Sequence, residues 1–215
     1  MTALTNTAEF HRQLRGLFAV LRILVRQTTQ GRESVQDYAA HLEGRIGALA
    51  ASYEMLMRAP EEGVDFQEIV RAALLAQSVA EHQCQVAGPE VRIARDSAAA
   101  LALAFHELTI NAQEYGSLTC DKGRIEVTWS SFIQDGADWL NVRWREQGAA
   151  LDLNRQRRKG FGSELIERML PYELGARTRL EWGQDGVQVQ LLIPACAGGR
   201  SGVLRMTSRH RFGRS

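Results

Sequence analysis

The sequence predicts an α+β chain in two parts, an N-terminal antiparallel helical hairpin followed by a mixed helix-and-strand unit. Three observations carry that expectation. Apolar residues recur at helical, nearly heptad spacing from Phe10 to Met57; Pro60 and Gly63 then break the pattern; and beyond Asp65 helical stripes are interleaved with strand-like alternation and hairpin turns.

The first part has two stripes. Phe10, Leu14, Leu17, Leu21, Leu24 and Thr28 form one, and after Gln30-Gly31 a second runs through Val35, Ala39, Leu42, Ile46, Leu49, Tyr53 and Leu56. A lone hairpin cannot bury both stripes, so residues 1–60 are expected to dimerise into a four-helix bundle. The competing arrangement packs the hairpin on its own C-terminal half.

The second part is expected over residues 65–195. Asp65 with Glu68 makes a capping box for a helix from Phe66 to about Val79, and Asp96 is placed to cap another that runs to Tyr115 and stops at Gly116. Arg124–Phe132 and Trp139–Arg145 alternate as strands around Gln134-Asp135-Gly136. A helix over Ser163–Leu170 and a hairpin of Thr178–Trp182 with Val187–Ile193 complete the unit. Residues 196–215 are rich in Gly, Ser and Arg, have little to bury, and are expected to be a disordered basic tail.

Composition narrows the function classes. In 215 residues, 26 Lys+Arg balance 25 Asp+Glu, so no overall basic field exists to drive nucleic-acid or membrane binding. The three cysteines, Cys84, Cys120 and Cys196, are too scattered for a disulfide framework or a zinc site. The opening residues lack a signal-peptide pattern, and the longest apolar stretch, Ala98–Phe105, is far short of the ~20 residues that span a bilayer. A cytoplasmic protein is expected.

Four features could do chemistry. On the helix ending at Tyr115, Glu107 and Asn111 share a face one turn apart, as do Asn111 and Tyr115. A carboxylate and an amide oxygen so placed suit Mg²⁺, although polar residues at that spacing ordinarily form only a solvated face. The run Lys159-Gly160-Phe161-Gly162-Ser163 opens a helix, where bare backbone amides and the helix dipole favour an anion; it matches neither common glycine-rich nucleotide loop, and a plain tight turn is the ordinary alternative. Trp144-Arg145-Glu146 with Gly148 closes a strand, where a carboxylate can accept from an exocyclic amine, while the Trp by itself reads as core. His11 sits beside the stripe residue Phe10, at the edge of the bundle, where an imidazole can act as a nucleophile toward phosphorus or be an ordinary surface group.

Taken in order, these segments resemble the HWE-type sensor histidine kinases. The matching pieces are His11-Arg12, Arg26-Gln27-Thr28, His106-Glu107-Leu108 with Asn111-Ala112 and Tyr115-Gly116, Trp144-Arg145-Glu146-x-Gly148, Gly160-Phe161-Gly162-Ser163, and Leu180-Glu181-Trp182 into the last hairpin. The resemblance implies that residues 1–60 are a dimerisation and histidine-phosphotransfer domain. It likewise implies that residues 65–195 are a gyrase/Hsp90-like ATP-binding α/β sandwich.

On that resemblance, the chain is an ATP-dependent protein-histidine kinase. His11 accepts the phosphoryl group, Glu107 orients water or moves a proton, and Asn111 ligates Mg²⁺. Glu146 reads the adenine amine; Gly148, Gly160 and Gly162 admit the nucleotide; Lys159 and Ser163 stand near its phosphates; Tyr115 lines the pocket; His106 and Trp144 are the family's remaining signature residues. Implied partners are a response regulator receiver domain, a second copy of the chain, and a separate or excised sensor domain. Leu14 and Arg15 depart from the family's Lys and Asn after the acceptor His, and Ala149-Ala150 from its Gly-Pro. A phosphotransfer adaptor without ATP use, or a gyrase-type ATPase, are the alternatives.

Overall fold

A computed structural model describes residues 63–148, 161–183, 185–194 and 204–205, with isolated positions between 39 and 50. The latter (Ala39, Leu42–Gly44, Ile46, Gly47 and Ala50) are helical. Of these, Leu42 is half-buried and packs against the core of the C-terminal unit, whereas Ile46 is 42% exposed. The rest of the expected hairpin, with His11, lies outside the described residues.

The C-terminal unit is built on a five-stranded sheet covered on one face by helices. In chain order come β1 (Val64–Asp65), α1 (Phe66–Ala76), β2 (Cys84–Ala87), β3 (Arg92–Ile93), α2 (Arg95–Tyr115), β4 (Arg124–Gln134) and β5 (Ala137–Gln147). After the undescribed 149–160 follow α3 (Phe161–Glu164), a π turn (Leu165–Met169), α4 (Leu170–Leu174), β6 (Arg177–Gly183), β7 (Gly186–Pro194) and β8 (Leu204–Arg205). The main sheet has the order β2-β4-β5-β7-β6, parallel between β2 and β4 and antiparallel elsewhere.

Strand alternation decides which side chains meet the helices. Ile125, Val127 and Trp129 of β4, Leu140, Val142 and Trp144 of β5, and Val187, Val189, Leu191 and Ile193 of β7 are all buried. The β4–β5 register runs from Arg124↔Gln147 to Gln134↔Ala137 and closes through Asp135 and Gly136, both at positive φ (52° and 74°). Those are the angles a two-residue type I′ hairpin requires. An aromatic chain crosses the core: Phe66 meets Trp129 at 5.0 Å and Phe105 at 5.7 Å, and Phe105 meets Trp144 at 6.3 Å. Each fully buried Phe among them contributes about 1.5–3 kcal/mol.

Several boundaries differ from expectation for identifiable reasons. Asp65 caps α1 by accepting from Gln67 N at 2.8 Å. The helix ends at Ala76, not Val79, because Ser78 turns left-handed (φ 54°) and the Ser78 and Val79 amides fold back onto the Leu75 and Leu74 carbonyls. The second long helix begins at Arg95, so Asp96 lies within its first turn and is not its cap; Ala94 holds that position without a side-chain bond. The expected helix over Ser163–Leu170 contains a π turn in which Leu170 N bonds Leu165 O. Pro171 follows directly, and its ring would clash with the carbonyl four residues back in a regular helix, which the wider turn relieves.

Within the tail expected to be unstructured, Leu204 and Arg205 pair with Ile93 and Arg92, giving a small second sheet of order β1-β3-β8. Among the described residues, no helix is long and apolar enough to cross a membrane.

Candidate nucleotide site

Two clusters sit along the C-terminal half of α2, one on its side and one just past its end. In the first, α2 presents Glu107 and Asn111 to the start of α3. A Cβ placed on Gly162 would lie 2.8 Å from Asn111 Nδ2 and 3.5 Å from Glu107 Cβ. The shared face inferred from the i, i+4 spacing is thus the face that meets the glycine turn. Glu107 is fully buried, Ser163 is 8% exposed, and Asn111 is intermediate. This is a polar cradle with no side chain on the facing backbone, an arrangement suited to an anionic group and a hard cation.

The second cluster surrounds Glu146. Trp144 and Glu146 are two apart on β5 and so share its inner face, both buried. Trp144 Nε1 donates to Glu146 Oε1 at 3.4 Å and Ser117 N donates to Oε2 at 3.0 Å. These two donors hold one carboxylate oxygen each. Trp144 is therefore core packing that also orients Glu146, which joins two readings the sequence kept apart. Gly116 lies so close to Glu146 Oε2 that a side chain there would collide with it, and Gly186 of β7 does the same for Glu146 Cβ.

Sequence reasoning missed Ser117 and the packing roles of Gly116 and Gly186. Gly116 reads in sequence as a helix stop and Gly186 as a hairpin turn, so neither carries a visible sign of its contact across the fold. Gly148 has φ +82°, and a Cβ on it would stand 3.0 Å from Lys122 O, so the chain leaves β5 through a position that suits glycine alone. Tyr115, 58% exposed, stands beside Gly116 at the rim.

His106 is not brought to either cluster by its described contact. Its Nδ1 lies 3.4 Å from Gln77 Nε2, and Gln113 Nε2 donates to Gln77 O at 2.6 Å, so these side chains join α2 to the end of α1. Lys159 and Gly160 lie outside the described residues. Burial raises the pKa of the Cys84 thiol on β2, with Arg71 opposing and Glu81 adding a smaller upward push.

Known proteins resemble this chain in sequence and in fold. The model of the HWE histidine kinase family matches residues 9–90. A blue-light-activated histidine kinase of Brucella anthropi is 27% identical over 192 residues, covering 89% of this chain and 39% of its own length. Blue-light-activated histidine kinase 1 of Erythrobacter litoralis is 31% identical over 192 residues, covering 87% of this chain and 52% of that protein. The chain thus spans about half or less of these relatives. Among solved structures, the Erythrobacter litoralis EL346 blue-light activated histidine kinase superposes with a TM-score of 0.59 at 20% identity, over 86% of this chain and 59% of that one. That likeness establishes the α+β kinase fold.

Proposed function

The chain belongs to the HWE histidine kinase family, and on that premise we propose that it is an ATP-dependent protein-histidine kinase core. The observation that supports it most is the meeting of Gly162 with Asn111 and Glu107. The residues fit the nucleotide. Glu146 is a buried carboxylate oriented by two donors, and the approach to Asn111 is kept open by a residue without a side chain.

In this reading Glu146 accepts from the adenine amine, directly or through water, with Trp144 and Ser117 fixing the carboxylate. Gly148 and Gly162 allow close approach, Ser163 and Lys159 stand toward the phosphates, and Tyr115 covers the rim. Asn111 would hold Mg²⁺. Among the described residues no group of three or more His, Cys, Asp or Glu could hold a metal, so phosphate and water oxygens would complete its shell. Bound Mg²⁺ would supply neutralisation of the developing phosphate charge. Glu107 orients water or moves a proton, and His11 attacks the γ-phosphoryl group in line, forming a phosphohistidine that is passed to an Asp of a receiver domain. Residues 1–60 would dimerise and present His11, and input would come from a sensor domain, all in the cytoplasm.

Incubation with γ-labelled ATP and Mg²⁺ tests this. Acid-labile, base-stable label on the wild type, absent from His11→Ala and Asn111→Ala, is the expected result. Absence of both label and ATP binding would overturn the kinase reading and leave a phosphotransfer adaptor.

A further inference from the structure

The half of α2 that carries Asn111 has little apolar packing to hold it. Up to Leu108 the helix buries Leu101, Leu103, Phe105 and Leu108 itself. Beyond Leu108, among the described residues, its only fully buried apolar side chain is the methyl group of Ala112, with Ile110 half-buried. Between the two halves Thr109 Oγ1 donates back to Phe105 O at 2.7 Å, a bond of the kind that bends helices. The end of α1 grips this second half. Gln77 Nε2 lies 3.4 Å from His106 Nδ1, and Gln77 O accepts from Gln113 Nε2 at 2.6 Å. His106 and Gln113 stand two turns apart on one stripe of α2, and the roughly 10 Å between them brackets Glu107 and Asn111. Directly after Gln77, Ser78 is held at φ 54°, a left-handed angle that a serine keeps only where its surroundings over-determine it.

We propose that Gln77 is a positioning residue: anchored to His106 and Gln113, it sets the roll of the C-terminal half of α2 and so aims Glu107 and Asn111 at the Gly162 turn. The inference rests on the reading that this cradle takes Mg²⁺ and the nucleotide phosphates. At about 100° per residue, the stripe held by Gln77 and the face of Glu107 and Asn111 lie roughly 130° apart. A grip on one side of the helix therefore fixes where the other side points. Side-chain tips stand roughly 5–6 Å from a helix axis, so a roll of about 20° would carry them about 2 Å. Mg²⁺ demands near-ideal octahedral geometry and does not tolerate such a displacement of a ligand. The single buried methyl of Ala112 offers little resistance to the roll, because it makes few contacts. The two bonds of Gln77 supply it.

The test uses the full chain and titrates ADP by calorimetry, with Mg²⁺ and with a chelator in its place. The wild type is compared with Gln113→Met and Gln77→Met, which keep side-chain length and remove one bond each. Both variants are expected to bind ADP without Mg²⁺ as the wild type does, because the Glu146 cluster is untouched. The gain in ADP affinity on adding Mg²⁺ should fall roughly tenfold, the low end for residues that orient a metal ligand. The Tm of the nucleotide-free protein should drop by about 2–4 °C, as the loss of one net hydrogen bond predicts. A merely structural role would weaken ADP binding alike in both conditions, and that result would overturn the proposal. So would a Mg²⁺ gain equal to that of the wild type; either leaves the kinase reading intact. If Gln113→Met does not fold, Gln77→Met decides between the same outcomes. A wild type that binds ADP but gains nothing from Mg²⁺ would remove the cation from Asn111 and the proposal with it. Failure of the wild type to bind ADP at all would overturn the kinase reading as well, and the wild-type titrations alone reveal both cases.

Discussion

Gly162 faces Asn111 so closely that a methyl group on it would stand 2.8 Å from the Asn111 amide nitrogen. That contact joins the start of α3 to the middle of α2, and it ties the glycine turn to the residue most suited to hold a cation. Gly162→Ala should therefore push the Asn111 side chain aside. Because the clashing atom is the end of a side chain, the stability cost should stay at about 1–3 kcal/mol, the usual range for overpacking. Nucleotide affinity should fall at least tenfold, since both halves of the cradle are displaced. Calorimetric titration with ADP and Mg²⁺ alongside urea unfolding separates the two effects. An alanine variant that binds ADP like the wild type would refute the cradle.

Glu146 accepts from two donors, Trp144 Nε1 and Ser117 N, one on each oxygen. An amide in its place can accept from only one of them, and its NH₂ must then face the other N–H. Glu146→Gln should cost about 1–3 kcal/mol of stability through that buried donor–donor conflict. It should also weaken adenine nucleotides, because one acceptor oxygen becomes an NH₂ donor and the negative charge is lost. Trp144→Phe removes one donor and keeps most of the ring, so it should be milder on stability. If Glu146→Gln unfolds at the wild-type urea midpoint, the carboxylate is not held as described.

The elements that sequence revealed are those whose patterns are local. The run from Ala98 to Phe105 and the Glu107–Asn111 spacing announce α2, and Asp135-Gly136 between alternating segments announces the β4–β5 hairpin. Short strands stayed hidden. Cys84–Ala87 pairs in parallel with Ile125–Thr128, and the two-residue strands β1, β3 and β8 pair only with one another. Such pairings draw on partners distant in sequence and leave no period of their own. The candidate site divides the same way. That Glu107 and Asn111 share a helix face was legible from their spacing, whereas the parts proposed for Glu146 and Gly162 came from the family resemblance. Ser117, Gly116 and Gly186 were not legible, because they matter only through what they touch across the sheet.

Gly88 explains how the β2 end of the sheet is closed. A side chain there would run into the indole of Trp129, whose Nε1 donates to Pro89 O at 2.7 Å and whose ring meets Phe66 at 5.0 Å. Trp129 is buried, so the ring has little freedom to retreat. Gly88→Ala should destabilise the unit by about 1–3 kcal/mol while leaving the distant Glu146 cluster and ADP affinity near wild type. Denaturant unfolding with Trp fluorescence, followed by ADP titration under native conditions, checks both parts. A Gly88→Ala protein as stable as the parent would mean that the 88–90 segment yields where the indole is expected to hold it.

Cys84 carries a pH dependence whose sign follows from its surroundings. Burial is the main cause that raises its thiol pKa; the Arg71 charge opposes it and Glu81 adds to it. In the unfolded chain the thiol ionises near its ordinary value of about 8.5. Above that pH the unfolded state has released a proton that the folded state still holds. Stability contributed by Cys84 is therefore fully present at neutral pH and is lost as pH rises through the ordinary thiol value toward the raised one. Cys84→Ala should flatten the stability–pH curve above the ordinary thiol pKa of about 8.5 without changing its neutral-pH slope. The same burial predicts slow alkylation. At pH 8, iodoacetamide should modify exposed Cys120 well before half-buried Cys84, with peptide mass mapping assigning each site. Modification of Cys84 ahead of Cys120, or an unchanged alkaline slope in Cys84→Ala, would show that the thiol is not shielded on β2.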